Sequence, residues 1–180
     1  MKEQFTISIF TENKIGILTH ISVLFTRRHI NIDSITASET EAHGIYRYTI
    51  TVTETRDMVR KVVKQIEKLI EVFQAYYHTR DEIIYQEIAL YKLPIKAISR
   101  GAELEKIMRQ HHARILTVEE NFLIVEKSGH KEETQELLEQ LEPYGVIEFV
   151  RSGRVAIIKP MWRFNKELHE MEKHPEVTLA

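Results

Sequence analysis

The feature that most limits how this chain can fold is a hydrophobic pattern that switches between periods of two and 3.6 in the same order twice. Phe5, Ile7 and Ile9 alternate with Thr6 and Ser8, which predicts a strand with one buried face. Glu12-Asn13-Lys14 interrupts it. Ile17, Leu18, Ile21, Leu24 and Phe25 then recur at helical spacing, and Arg27, Arg28 and His29 close the last turn, where positive charge suits the helix dipole. Ile30, Ile32, Ile35 and Ala37 lie in an extended segment, and Ala42-His43-Gly44 predicts a turn. Tyr46, Tyr48, Ile50 and Val52 alternate with Arg47, Thr49 and Thr51, the pattern of an antiparallel strand. Met58, Val59, Val62, Val63, Ile66 and Leu69 mark a second helix, and Val72 to Tyr77 a closing strand.

The order then repeats. Ile88 to Leu93 reads as a strand, and Leu104, Ile107, Met108 and His111 occupy one helical face. Ala113 to Val118 and Phe122 to Lys127 read as strands around Glu119-Glu120-Asn121. Leu137, Leu138 and Leu141 predict a helix stopped by Pro143 and Gly145. Val146 to Val150 and Val155 to Ile158 read as strands, with Arg151-Ser152-Gly153-Arg154 as a hairpin turn or an anion-binding loop.

Each run is a βαββαβ unit, so the predicted class is α+β, with two tandem ferredoxin-like domains whose antiparallel sheets carry helices on one face. The predicted domains are residues 1–79 and 83–160, joined by a charged, turn-free stretch at His78 to Glu82. Residues 161–180 form a tail in which Phe164, Leu168 and Met171 are spaced for a short helix, either frayed or docked on a partner. Tyr and Ile rows on both faces of the first sheet would lie in water, so its second face is expected to bury against another copy of the chain.

Composition narrows the function. A net charge of −2 over 180 residues gives no general attraction to nucleic acid or anionic membrane. There is no cysteine, which removes disulfides, thiol catalysis and cysteine-bound metal and fits a reducing, cytoplasmic setting. No stretch nears the roughly 20 apolar residues of a membrane span. The chain lacks a phosphate loop, a Gly-x-Ser-x-Gly elbow and a dinucleotide fingerprint, so no catalytic residue is assigned. Among the nine histidines no His-x-x-x-His or Glu-x-x-His pattern places two ligands on one helix face, and His169 with Glu172 is a weak pair, so no metal site is assigned either.

One segment stands out. Asn13-Lys14-Ile15-Gly16-Ile17-Leu18 lies between a strand and an amphipathic helix. N–H groups at a helix start lack intrahelical partners and can hold a carboxylate. Gly16 permits close approach to the backbone, and Asn13 can both donate and accept. The same residues also suit an ordinary strand-to-helix loop. Asn31 and Ile32, after the helix, share that ambiguity.

The run from Ile7 through Glu12-Asn13-Lys14-Ile15-Gly16-Ile17-Leu18 to Leu24-Phe25-Thr26-Arg27-Arg28-His29-Ile30-Asn31-Ile32-Asp33-Ser34-Ile35 resembles the N-terminal ACT domain of acetohydroxyacid (acetolactate) synthase small subunits. The resemblance continues through Glu87 to Lys92 and Val150 to Arg154, as far as about Lys159. It implies a non-catalytic regulatory subunit of branched-chain amino-acid biosynthesis that dimerises edge to edge through its ACT domains. It also implies that a branched-chain amino acid, usually valine, binds at that interface. Asn13, Lys14, Ile15, Gly16, Ile17 and Leu18 match the effector positions, with Asn31 and Ile32 supplied from the other protomer. The partner implied is a catalytic large subunit, activated by this chain and made sensitive to feedback inhibition. Thiamine diphosphate, Mg and FAD are expected on that partner and no cofactor on this chain. Three features depart from the family: His29 replaces a glycine, Ile15 replaces a small polar residue, and the tail is longer. A stand-alone amino-acid-sensing module is the alternative; a small enzyme on this scaffold lacks its catalytic constellation.

Overall fold

The computed structural model describes residues 1–159. The expected tail helix and the His169–Glu172 pair lie outside the described residues. The elements in order are β1 (Glu3–Glu12), α1 (Ile17–Thr26), β2 (Ser34–Glu39), β3 (Ile45–Glu54), α2 (Arg56–Ile66), β4 (Val72–Thr79), β5 (Ile83–Pro94), α3 (Gly101–Gln110), β6 (Arg114–Val118), β7 (Phe122–Gly129), α4 (Lys131–Leu141), β8 (Glu148–Arg151) and β9 (Val155–Ile158). The described residues divide into two compact units, 85–155 and a first unit of 1–84 together with 156–159.

In the first unit the sheet order is β2-β3-β1-β4, with every pairing antiparallel. Phe5, Ile7, Ile9, Tyr48, Ile50 and Val52 face the helices and meet Ile17, Ile21 and Phe25 of α1 and Val59, Val62, Val63 and Ile66 of α2. Strand pairing sets Ile7 opposite Ile50 and Phe5 opposite Val52, so the apolar residues of both central strands reach one face.

The row Tyr46, Tyr48, Ile50 and Val52 lies on the helix side, while Phe10, Ile45, Phe73 and Tyr76 cluster on the other, so apolar residues stand on both faces as expected. Beside that cluster the opposite face carries Thr6 and Ser8 of β1 and Thr49 and Thr51 of β3, all buried within the chain. A period of two sends Tyr46, Tyr48, Ile50 and Val52 to the same side. A second copy is not needed to cover the other.

The junction also differs from expectation. β4 runs on to Thr79, and a 3-10 turn at Arg80–Glu82 leads into β5. The Glu82 carboxylate accepts the Thr79 N–H at 2.8 Å, closing a capping box that the charged composition hides.

The second unit repeats the topology, with order β6-β7-β5-β8; β9, which from Ala156 on belongs to the first unit, pairs with β5. Its core joins Ala89, Tyr91, Leu93, Leu123 and Val125 to Leu104 of α3 and Leu137 and Leu141 of α4. Because β8 and β9 both lie along β5, the segment between them is an interruption of the edge and not the hairpin the sequence suggests. There the Ser152 Oγ accepts the Ile88 N–H at 2.9 Å in place of a ladder carbonyl, while the Ser152 N–H donates to the Ile88 carbonyl at 2.8 Å.

Candidate functional site

The loop from β1 to α1 is held by its own main chain. The Glu12 N–H donates to the Glu71 carbonyl at 3.0 Å, Asn13 N–H to Gly44 at 3.1 Å and Lys14 N–H to Glu12 at 3.0 Å. Gly44, in the β2–β3 turn, has φ +80°. Gly16 immediately precedes α1 with φ +89° and ψ −10°, a left-handed conformation that glycine adopts without a steric penalty. A β-carbon added at Gly16 would meet nothing within 4 Å, so the space before this backbone is open. The Gly16 carbonyl accepts the His20 N–H at 3.1 Å and starts the helix. Among the described residues no side chain caps α1, and the Leu18 and Thr19 amides of its first turn have no intrahelical acceptor.

The side chains divide by exposure. Asn13, Lys14 and Ile15 are exposed, Ile15 completely, and Leu18 is 45% exposed. Ile17 is 3% exposed and packs in the core, and its N–H donates to the Lys14 carbonyl at 3.4 Å, so its side chain offers a ligand no surface. Any aliphatic selectivity rests on Ile15 and Leu18. Lys14 and Glu12 pair at 3.3 Å at the mouth of the loop. The loop thus combines amide donors, one charge of each sign and an aliphatic surface. This set matches the carboxylate, ammonium and side chain of a small amino acid.

Asn31 and Ile32 lie elsewhere. α1 has ten residues, about 15 Å of axis at 1.5 Å per residue. Asn31 follows its C-terminal cap, whereas Gly16 precedes its first turn, so one protomer holds the two halves of the expected site at opposite ends of the helix. Asn31 is exposed, and Ile32 packs partly against the core. Sequence reasoning misses Gly44. Its turn signal is legible, but its bond to Asn13 depends on β3 lying beside β1.

The other candidate segments are occupied. Arg154 is 3% exposed, lies 3.8 Å from the Glu87 carboxylate and stacks over the Tyr85 ring at 3.7 Å. Arg151 donates to Gln135 at 3.2 Å. Both arginines have protein partners, so the structure gives no support to the anion-loop alternative. Among the described residues no group of three or more His, Asp or Glu could hold a metal. The perturbed groups lie off the loop. Burial pushes Tyr91 up to about 12 while its hydroxyl donates to the Thr134 carbonyl at 2.6 Å. Burial also lowers His78, against the opposing pull of Glu82. Packing accounts for both.

Comparison with known proteins agrees with this architecture. Residues 7–74 match the family model of the AHAS small subunit-like ACT domain, and residues 86–160 match that of the small subunit of acetolactate synthase. The acetolactate synthase small subunit of Bacillus subtilis is 34% identical over 160 residues, which cover 88% of this chain and 91% of that one. Its Mycolicibacterium smegmatis counterpart is 34% identical over 152 residues, 84% of this chain and 89% of that one. The solved structure of the acetolactate synthase small subunit from Thermotoga maritima superposes with a TM-score of 0.79 at 26% identity, over 89% of this chain and 99% of that one. With relatives of this identity matched over most of their length, the chain belongs to the acetolactate synthase small-subunit family.

Proposed function

We propose that this chain is the regulatory subunit that binds a branched-chain amino acid, valine first among them, at the start of α1 and confers feedback inhibition on an acetolactate synthase catalytic subunit that it also activates. The observation that carries the reading is the open left-handed Gly16 before an uncapped helix start, flanked by exposed Ile15 and Leu18. The carboxylate accepts from the Leu18 and Thr19 amides, Asn13 and Glu12 take the ammonium, and Ile15 and Leu18 contact the side chain. Asn31 and Ile32 join the site from a second protomer, because one chain holds them a helix length away from Gly16. Thiamine diphosphate, Mg and FAD are carried by the catalytic partner, where the carbon–carbon bond chemistry takes place. The small subunit's contribution is differential affinity of the effector for two arrangements of the assembly, typically about 1–3 kcal/mol.

Calorimetry with valine, leucine and isoleucine tests the site. Binding is expected, weakened about tenfold or more in Asn13→Ala, which removes one charge-assisted hydrogen bond worth about 1.5–3 kcal/mol. Gly16→Ala should weaken it too, since the new methyl enters the open space. Absence of heat with all three amino acids, or unchanged affinity in both variants, would refute the assignment.

A further inference from the structure

We propose that Arg47 is the positioning residue that couples the effector loop to strand β9. Arg47 lies on β3 opposite Phe10, on the sheet face away from the helices. Its Nη2 donates to the Ser8 Oγ at 3.0 Å and to the Ala156 carbonyl at 2.7 Å, joining residues 109 apart within one compact unit. Its guanidinium also stands 5.5 Å from the Phe10 ring centroid. Among the described residues no carboxylate pairs with it, so its charge is directed at a main-chain carbonyl of β9. A second bond, from the Lys159 N–H to the Glu82 carbonyl at 2.9 Å, holds the far end of the same strand.

The other end of the connection is the loop. The Asn13 N–H donates to Gly44, three residues before Arg47 and about 10 Å along an extended chain. Between them Ile45 is buried with Phe10 and Ala42, against Phe73 and Tyr76. A ligand that displaces the Asn13 main chain displaces β3 at Gly44, and the packed Ile45 carries the shift to Arg47, because close-packed cores move in discrete steps. From Arg47 it reaches Ala156. The residues thus form one bonded path from the first unit's ligand loop to the last described strand.

This inference rests on the sensor reading, and the test separates the two. The full chain is titrated with valine by calorimetry, and amide hydrogen exchange is followed at residues 155–158 with and without valine. The holoenzyme reconstituted with its catalytic subunit is assayed for valine inhibition, using the parent, Arg47→Met and Arg47→Lys. In the parent, valine should alter exchange at the β9 amides. Arg47→Met should keep its valine affinity within about twofold and still activate the synthase, yet lose at least fivefold in valine sensitivity, at the low end of allosteric couplings. Arg47→Lys, which keeps the cation, should recover part of the loss. A merely structural role would lower affinity, activation and inhibition together. If the parent binds valine but β9 exchange is unchanged, or Arg47→Met is inhibited like the parent, the proposal is overturned. If the parent gives no heat, the sensor reading falls and this proposal with it. The exchange measurement needs no variant, so poor folding of Arg47→Met does not rescue the idea.

Discussion

His78 shows how much a single residue's setting decides. It lies one residue before the end of β4 on the face away from the helices, with its ring 5.2 Å from that of Tyr76. Burial holds its pKa below the usual value near 6.5; Glu82 acts to raise it, and Arg47 to lower it further. Above about pH 6.5 His78 is neutral both folded and unfolded and adds no pH dependence. Below that value the unfolded chain binds a proton that the folded chain refuses, so stability falls with pH through the window beneath 6.5. Glu82, held low chiefly by the Thr79 N–H, has the opposite charge logic. Its contribution is present above the carboxylate range and disappears only at lower pH. Melting temperature should therefore fall between pH 7.5 and 5.5, and less steeply in His78→Gln. Parallel curves for parent and variant would remove His78 as the cause.

Among elements, the ends of α1 and α3 are solved alike in the two units. Ile30 N–H donates to Phe25 at 3.0 Å around left-handed His29, φ +54°, and Ala113 N–H donates to Met108 at 2.8 Å around left-handed His112, φ +50°. Both are glycine-style helix stops built on histidine, so the departure at His29 leaves the helix terminus intact and appears as backbone strain instead. Since both side chains are exposed, His29→Gly and His112→Gly should each stabilise their unit by about 1 kcal/mol, the left-handed cost for a non-glycine residue less glycine's extra chain entropy. Urea melts would show it, and a loss of stability in either variant would contradict the account. The basic run Arg27-Arg28-His29 announces a helix end, but nothing in its spacing says that the third residue must turn left-handed. Similarly, Val155 to Ile158 is legible as a strand, while its pairing with β5 is not, because the two are far apart in sequence.

For the whole molecule, the outer edge of β2, which pairs with no further strand among the described residues, matters most. It carries no lysine or proline to block a neighbour, and its helix-side row of Ile35 and Ala37 is exposed. α1 likewise leaves Leu18 and Val23 exposed. A two-fold pairing at this edge would join the sheets and bring Asn31 of one copy toward Gly16 of the other. Ile35→Lys places like charges across such an axis. Sedimentation should find the parent dimeric at micromolar concentration and the variant at least tenfold weaker. A monomeric parent, or an unaffected variant, would remove this edge as the interface.

The two βαββαβ units, the helix faces and the Asn13–Leu18 loop are legible residue by residue, because they follow from local periodicity and from glycine's freedom at one backbone position. Tertiary structure alone decided that Ile17 turns inward while Ile15 and Leu18 stay out, that Gly44 anchors Asn13, that Arg154 is buried on Tyr85, and that Arg47 reaches Ala156. Each of these depends on which strands become neighbours. That choice is made by burying one continuous apolar face across segments distant in sequence, and no local pattern records it.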